Sequence, residues 1–563
     1  MLFKKEIRPV TACLLLAAYI ALALNLGFFK RLLDIYADTN SISNTMLLTV
    51  PLALIAALNI LLLPFSARPI LKPLFIAIII TAALLNYGMF TYGTIFDDDM
   101  FANITQTDVG ESQSYLTAHF LYFILTTGIL PAILVALLRL RRNSFKTAAK
   151  NYAVSLALSV LVLTGIGSVY YQDYVSVGRN NKILRKSLNP SYPYKQAYNY
   201  IYDTYLYEQP PYQQIAMDAH IAPKPEARKK LVILVLGETQ RSMSYSLNGY
   251  TRETNAYLKQ YPVASFQNVL SFGTATAISV PYIFSLSTDT YKDARAEQNR
   301  DNVIDALQRA NVHIEWLDND GGCKGVCKNA SYTDLRKKYA ADKTLCPHEN
   351  SCFDSVFLEE LKEKLPALPK QDTLLALHFM GSHGPSYWQR YPAEFRKFTP
   401  DCPQNDIQNC SHAALVNTYD NSILFADYVM AEIIKMAQKQ APDFDVAFVF
   451  LSDHGESLGE DGLYLHGLPK SIAPHEQRAV PLISWFSDSF LKAEDMTNAC
   501  LHRDADIRHI SDANIAQSLL GLFHVETTSY QAQNDYFHPC RNGFITASNH
   551  ITPPFSKTGL SFK

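Results

Sequence analysis

Residues 444–455 read FDVAFVFLSDHG. A short run rich in Val and Phe and closed by glycine reads as a buried strand, here with Asp453 and His454 at its C-terminal end. Four more runs share that character: LVILVLGE (231–238), VHIEWLD (312–318), TLLALHFMG (373–381) and VPLISWF (480–486). Segments near 302–310, 353–364, 415–438 and 512–522 carry helical periodicity. Strands alternating with helices predict an α/β domain with a mostly parallel central sheet and helices on both faces. In such sheets ligands bind beyond the C-terminal ends of the strands. Glu238, the pair Asp453-His454 and, just past a third end, His383 stand at that level.

Two carboxylates and an imidazole on neighbouring strand ends suit Zn²⁺ or Mn²⁺, although each alone also suits a cap or a satisfied loop position. The segment SFGTATAISVP (271–281) adds hydroxyls at the start of a helix. Thr274 or Thr276 is there either as a cap or as a nucleophile, its alkoxide stabilised by a divalent cation and the helix N-terminus.

Upstream, the composition changes. The 563-residue chain carries 52 acidic and 50 basic side chains, a formal charge of −2, which gives no electrostatic case for a nucleic-acid partner. With 18% charged and 48% hydrophobic residues it is not a disordered chain. Apolar runs near 10–28, 45–65, 70–92, 116–138 and 152–171 each have the roughly 20 residues that cross a hydrocarbon core. Such a succession speaks against buried core helices. The first run lacks a small-residue cleavage site before Phe28-Phe29, which speaks against a cleaved signal peptide. Lys4, Lys5 and Arg8, then Arg68 and Lys72, then Arg139, Arg141, Arg142, Lys146 and Lys150 mark cytoplasmic segments. The loop 93–115 carries Asp97, Asp98, Asp99, Asp108 and Glu111 without Lys or Arg, as a translocated loop does, while Lys30 and Arg31 stand on the opposing side of the rule. An odd number of spans places everything after about residue 172 outside the membrane.

The predicted organisation is therefore a transmembrane domain (1–188), a Tyr-rich linker (189–228) and a catalytic domain (229–563). The linker holds Tyr192, Tyr194, Tyr198, Tyr200, Tyr202, Tyr205, Tyr207 and Tyr212, and reads either as a segment lying in the headgroup layer or as an amphipathic helix packed on the soluble domain. Cysteine usage agrees with an exported domain. Cys13 lies in the first apolar run, and the order of the rest suggests local disulfides: Cys323 with Cys327, Cys346 with Cys352, Cys402 with Cys410, Cys500 with Cys540. Disulfides require an oxidising compartment such as the periplasm. Metal binding or free thiols are the alternative.

The segments GETQRSMSYSLNGYTRETN (237–255), GTATAISVP (273–281), GSHGPSYWQRYP (381–392) and SDHGESLGEDGLYLHG (452–467) resemble the motifs of bacterial phosphoethanolamine transferases that modify lipopolysaccharide, within the alkaline phosphatase/sulfatase-like superfamily. The resemblance runs over essentially the whole chain. It implies a five-helix transmembrane domain in the bacterial inner membrane, followed by a periplasmic alkaline-phosphatase/sulfatase-like domain. It also implies Glu238, Thr276, Asp453 and His454 as zinc ligands with Thr276 the nucleophile, one Zn²⁺ with room for a second, and His383 and His466 near the transferred phosphate or that second zinc. Lys324, in WLDNDGGCKGVC, matches a lysine that binds the substrate headgroup. Asn103, Thr107 and Glu111, in NITQTDVGES, match residues lining the donor site. The implied donor is phosphatidylethanolamine and the implied acceptor lipid A, with resistance to polymyxin and other cationic peptides as the consequence.

Read from the residues alone, Lys324 is equally a solvated lysine, His383 and His466 equally structural, and Glu111 equally a surface charge. The chain also departs from the pattern. Phe272 and Tyr282 stand where lipid A-modifying relatives commonly have cysteines flanking the nucleophile turn, and Asp320 stands where some have asparagine. Among competing chemistries, a sulfatase requires an arginine after its Ser/Cys-x-Pro-x motif, whereas Ser279-Val280-Pro281 is followed by Tyr282-Ile283. A phosphatase, a glycerol-phosphate transferase or a non-catalytic lipopolysaccharide-binding protein remain as alternatives. So do a core heptose or a pilin as acceptor. The sequence leaves the oligomeric state open.

Overall fold

The structure is a computed structural model and describes residues 6–39, 44–107, 109–207, 211–223, 227–287, 294–348 and 351–543; Lys4, Lys5 and Asp108 lie outside them. It divides into two compact units. The first comprises Met1–Ala102, Tyr115–Tyr207 and Gly459–Tyr464, the second Asn103–Ser114, Glu208–Leu458 and Leu465–Lys563.

In the first unit, Asn44–Phe65, Pro69–Thr91, Ala118–Leu137 and Phe145–Asn180 are long and apolar enough to cross a membrane. The last, at 36 residues, is kinked at Tyr170 and extends beyond the expected run at 152–171. The run at 10–28 is bent, and it makes a fifth span if its two helices cross as one. Helices Pro9–Ala23 and Leu26–Thr39 meet there at 51°. The reason is Asn25, which interrupts the apolar pattern. Its Nδ2 donates to the carbonyls of Ile20 (2.9 Å) and Asn189 (2.8 Å), while Asn189 Nδ2 donates to the carbonyls of Leu24 (2.6 Å) and Ala82 (2.8 Å). Two buried amides thus replace the helical hydrogen bonds that the break forfeits, as an apolar surrounding demands. In the Tyr-rich segment, helix Ser191–Ile201 runs into a wide turn at Tyr202–Leu206. Tyr194 is hydrogen-bonded to Thr81, whereas the rings of Tyr198, Tyr205 and Tyr207 are exposed.

The second unit is built on an eight-stranded sheet. Its strands are β1 (Lys229–Gly237), β2 (Ala264–Leu270), β3 (His313–Asp318), β4 (Ser331–Asp334), β5 (Thr373–His378), β6 (Phe444–Ser452), β7 (Ala479–Phe486) and β8 (His509–Ser511). Their order across the sheet is β8-β2-β7-β6-β1-β5-β3-β4. The five neighbours β6, β1, β5, β3 and β4 on one side and β8 with β2 on the other pair in parallel, but β7 runs antiparallel to both β2 and β6. The sheet is therefore mixed, though mostly parallel.

Central strand β1 is buried on both faces. Val232, Leu234 and Leu236 join one core with Val303, Ile304 and Leu307 of helix Val303–Arg309 and Leu519, Leu520 and Leu522 of helix Ile515–Leu522. The alternate residues Leu231, Ile233 and Val235, which point to the other face, are equally inaccessible. Each fully buried side chain of this kind contributes about 1.5–3 kcal/mol. Register then sets the site: Gly237 of β1 lies opposite Ser452 of β6, and Leu236 opposite His378 of β5. Glu238, Asp453 and His378 consequently emerge at one level. The disulfides Cys323–Cys327, Cys346–Cys352, Cys402–Cys410 and Cys500–Cys540 are all formed, and Cys13 is free and buried.

Candidate active site

Glu238 and Asp453 end adjacent parallel strands, and the Asp453 amide donates to the Gly237 carbonyl at 3.0 Å. Thr276 is the first residue of helix Thr276–Ile283, with Ala275 extended before it. Its Oγ1 lies 3.1 Å from both carboxylate oxygens of Glu238 and 3.5 Å from His454 Nε2. His454 Nε2 is 3.3 Å from Glu238 Oε1 and 3.3 Å from Asp453 Oδ2. The remaining polar atoms are used up around this point. Asp453 Oδ1 accepts from the amides of Thr239 (3.1 Å) and His454 (2.7 Å), and His454 Nδ1 faces the Gly455 carbonyl at 2.9 Å. Asp453 Oδ2 is buried without a hydrogen-bond partner. Burial and the Glu238 charge hold the Asp453 carboxyl well above its ordinary range. Burial would lower the His454 imidazole, but Asp453 and Glu238 push it up to about 10. The cluster is short of positive charge at the point that Asp453 Oδ2, Glu238 and His454 Nε2 share. Oxygen and nitrogen donors within 4.8 Å of one another fit a zinc ion there.

A cavity of about 390 Å³ opens at Thr276 and is lined also by Lys324, His383, Asn103, Thr107 and Glu111. Lys324 sits in the Cys323–Cys327 loop with a left-handed backbone (φ 47°). His383 follows a turn in which Gly381 has φ +53°, and a Cβ there would stand 2.5 Å from the Glu238 carbonyl oxygen. Glycine is what lets this turn press against the Glu238 backbone. His383 Nε2 lies 3.7 Å from Glu111 Oε1, and burial pushes its imidazole down to about 3. The His466 ring is 4.4 Å from that of His454 and 5.7 Å from that of His383. His466 Nδ1 bonds Glu456 Oε2 at 2.9 Å. The structure thus brings all of the expected residues to one region. Asn103 and Thr107 stand on the cavity wall.

Comparison with known proteins gives this geometry a family. Residues 54–205 match the family model described as phosphoethanolamine transferase EptA/EptB, and residues 230–525 match that of the sulfatases. Phosphoethanolamine transferase EptA of Escherichia coli (strain K12) is 38% identical over 546 residues, covering 96% of this chain and 98% of that protein. The chain belongs to the phosphoethanolamine transferase family. Phosphatidylethanolamine transferase Mcr-1 of Escherichia coli is 36% identical over 536 residues, 93% of this chain and 96% of that one. The solved integral membrane lipooligosaccharide phosphoethanolamine transferase A from Neisseria meningitidis has the same fold, with a TM-score of 0.90 at 32% identity over 95% of this chain and 100% of that chain.

Four features of this phosphoethanolamine transferase escaped the sequence reading. His378, read only as strand, carries an imidazole to the site level; a histidine closing an apolar run was the available signal. Asp318 holds it, with Oδ1 2.9 Å from His378 Nδ1. Asp354 accepts from the amides of Met380 (2.8 Å) and Gly381 (2.9 Å) and fixes the turn before His383. Glu456 joins His466 to the Tyr387 hydroxyl.

Proposed function

We propose that this chain transfers phosphoethanolamine from phosphatidylethanolamine to lipid A through a covalent phosphoethanolamine–Thr276 intermediate, as a zinc enzyme of the bacterial inner membrane with its α/β unit in the periplasm. The observation that carries the reading is Thr276 Oγ1 at 3.1 Å from Glu238 and 3.5 Å from His454, on the wall of a cavity shared with Lys324 and His383. Residues 1–188 anchor the enzyme, 189–228 lie along the membrane face and 229–563 perform the chemistry. The apolar helices, the Lys/Arg pattern and the disulfides support this placement. The printed names of the relatives, which specify phosphatidylethanolamine and lipooligosaccharide, support the donor and the acceptor.

Glu238, Asp453, His454 and Thr276 would hold a zinc ion, which would supply Lewis acidity for the Thr276 alkoxide and for a phosphoryl oxygen. Thr276 Oγ attacks phosphorus as the bond to the diacylglycerol oxygen breaks, and the leaving alcohol takes a proton from His466 Nε2. Lys324 offsets phosphoryl charge from the cavity wall. An oxygen of lipid A then attacks, gives its proton to the same imidazole, and releases Thr276. Adding an ammonium group to an anionic lipid lowers surface charge, which weakens the binding of polymyxin and other cationic peptides.

Thr276→Ala in the full-length enzyme should abolish phosphoethanolamine on lipid A, measured by mass spectrometry of lipid extracted from expressing cells, with the circular dichroism of the purified protein unchanged. A wild-type adduct should map to Thr276. Modification of lipid A by the Ala variant would end this reading, and release of free phosphoethanolamine without an acceptor would turn it into a phosphatase.

A further inference from the structure

Glu238 borders a second set of donors. His378 ends β5 opposite Asp318, the last residue of β3, and Asp320 follows two residues later. The His378 side chain is 0% exposed and that of Asp320 6%. His378 Nδ1 lies 2.9 Å from Asp318 Oδ1, so this nitrogen carries the hydrogen and donates to the carboxylate. Asp318 is itself fixed, because its Oδ2 accepts from the amides of Gly321 (2.9 Å) and Gly322 (2.8 Å) and from the Tyr332 hydroxyl (3.2 Å). The consequence falls on the other nitrogen. Nε2 points into the interior, buried and without a hydrogen-bond partner. It faces Asp320 Oδ2 at 3.7 Å, beyond hydrogen-bond distance.

Donor atoms of Glu238, Asp320 and His378 lie within 4.8 Å of one another. An imidazole aimed at two carboxylates, and held from behind by a third, is the arrangement in which metal-binding histidines are oriented. Without a cation it leaves one nitrogen unsatisfied and the Glu238 and Asp320 charges facing each other in the interior, with Lys324 as a further neighbour of Asp320. We propose that Glu238, Asp320 and His378 form a second site for a divalent transition-metal ion, with Glu238 bridging it to the site at Asp453 and His454. Two oxygen donors and one imidazole suit zinc or manganese. Three protein ligands leave positions open, and Asp320 lines the same cavity as Thr276 and Lys324. Paired ions about 3.5–4 Å apart stabilise both the attacking and the leaving oxygen of a displacement at phosphorus. The proposal rests on the reading of Glu238 as a metal ligand.

The test is zinc stoichiometry by mass spectrometry on full-length protein in detergent, dialysed against zinc alone. The wild type should hold two ions per chain, Asp320→Asn and His378→Gln one each, and Asp453→Asn one. A wild type with one ion that is lost in Asp453→Asn and kept in Asp320→Asn overturns the second site and leaves the Thr276 reading standing, because His378 is then an imidazolium between two aspartates. A wild type with none removes both. Where a variant shows altered near-ultraviolet circular dichroism, zinc-edge anomalous diffraction from wild-type crystals decides. A peak about 2.1 Å from His378 Nε2 is expected, and its absence overturns the proposal.

Discussion

Thr274 and Thr276 carry the same hydroxyl two residues apart, and their surroundings separate them. Thr274 Oγ1 donates to the Leu468 carbonyl at 2.6 Å and is spent in holding the turn, whereas Thr276 Oγ1 points at Glu238 and His454. Away from the site, single residues govern stability. Glu494 is bonded to Lys230 (2.7 Å) and His524 (2.7 Å), with Arg541 at 3.6 Å. Burial opposes its ionisation, but His524 and Lys230 outweigh it and hold the carboxyl down to about 2, against an ordinary 4.5. A depressed carboxyl stabilises the fold above its unfolded value and loses that contribution as pH falls toward the folded one. The carboxylate's share is on the order of 3 kcal/mol, and the pair's net worth is smaller because burial lowers the Lys230 ammonium more than Glu494 raises it. Glu494→Gln should therefore melt several degrees below the wild type near neutral pH, and the gap should shrink by more than half by about pH 3. A gap independent of pH would assign the loss to packing alone.

At the scale of elements, the turn that leads into Thr276 is held by rings rather than by a cystine. Phe272 and Tyr282 bracket the start of helix Thr276–Ile283, stacked with centroids 3.7 Å apart and planes at 29°, and Lys470 Nζ sits 3.2 Å from the Phe272 centroid. Such a pair couples by about 0.5–1.5 kcal/mol. A double-mutant cycle with Phe272→Leu and Tyr282→Leu should return that coupling in thermal stability, and each single change should lower kcat more than it changes KM by loosening Thr276. Additive losses would show that the rings act independently. The strands were legible because fully buried strands are uninterrupted apolar runs, and Glu238 and Asp453 were legible because they close two of them. The reversed direction of β7 was not, since residue type does not encode strand direction. β4 and β8 are short and polar, so they carry no apolar run to read. The break at Asn25 vanishes in any average over its apolar neighbours, and His378 reads as one more strand residue until the register of β5 against β3 places it beside Asp318.

At the scale of the whole molecule, the two units are stabilised by different means. The first buries apolar helices around Cys13, Phe75 and Ile79, with Cys13 unpaired. The second adds disulfides, and Cys500–Cys540, with a sequence separation of 40, closes a far longer loop than Cys323–Cys327, with a separation of 4. Loop-closure entropy assigns about 4 kcal/mol to the former and about 2 to the latter, so replacing Cys500 and Cys540 by serine should cost roughly twice as much stability as replacing Cys323 and Cys327. A cation held by Glu238, Asp453, His454 and Thr276 would act on the same unit. It would join the ends of β1 and β6 to the first turn of helix Thr276–Ile283 and bind only when those ends are assembled, so its binding energy would be folding energy. At a thousandfold excess over Kd that amounts to about 4 kcal/mol, a fall on the order of 10 °C on removal. Full-length protein heated in detergent with a chelator should show the transition of the α/β unit moving down by that amount while that of the apolar helices stays in place. In Asp453→Asn the chelator should move the α/β transition by less than it does in the wild type, because the strand end that gripped the ion has lost its charge. If chelation leaves the wild-type transition where it was, Asp453 Oδ2 and His454 Nε2 are held together by the protein fold alone, and no ion stands behind the Thr276 hydroxyl.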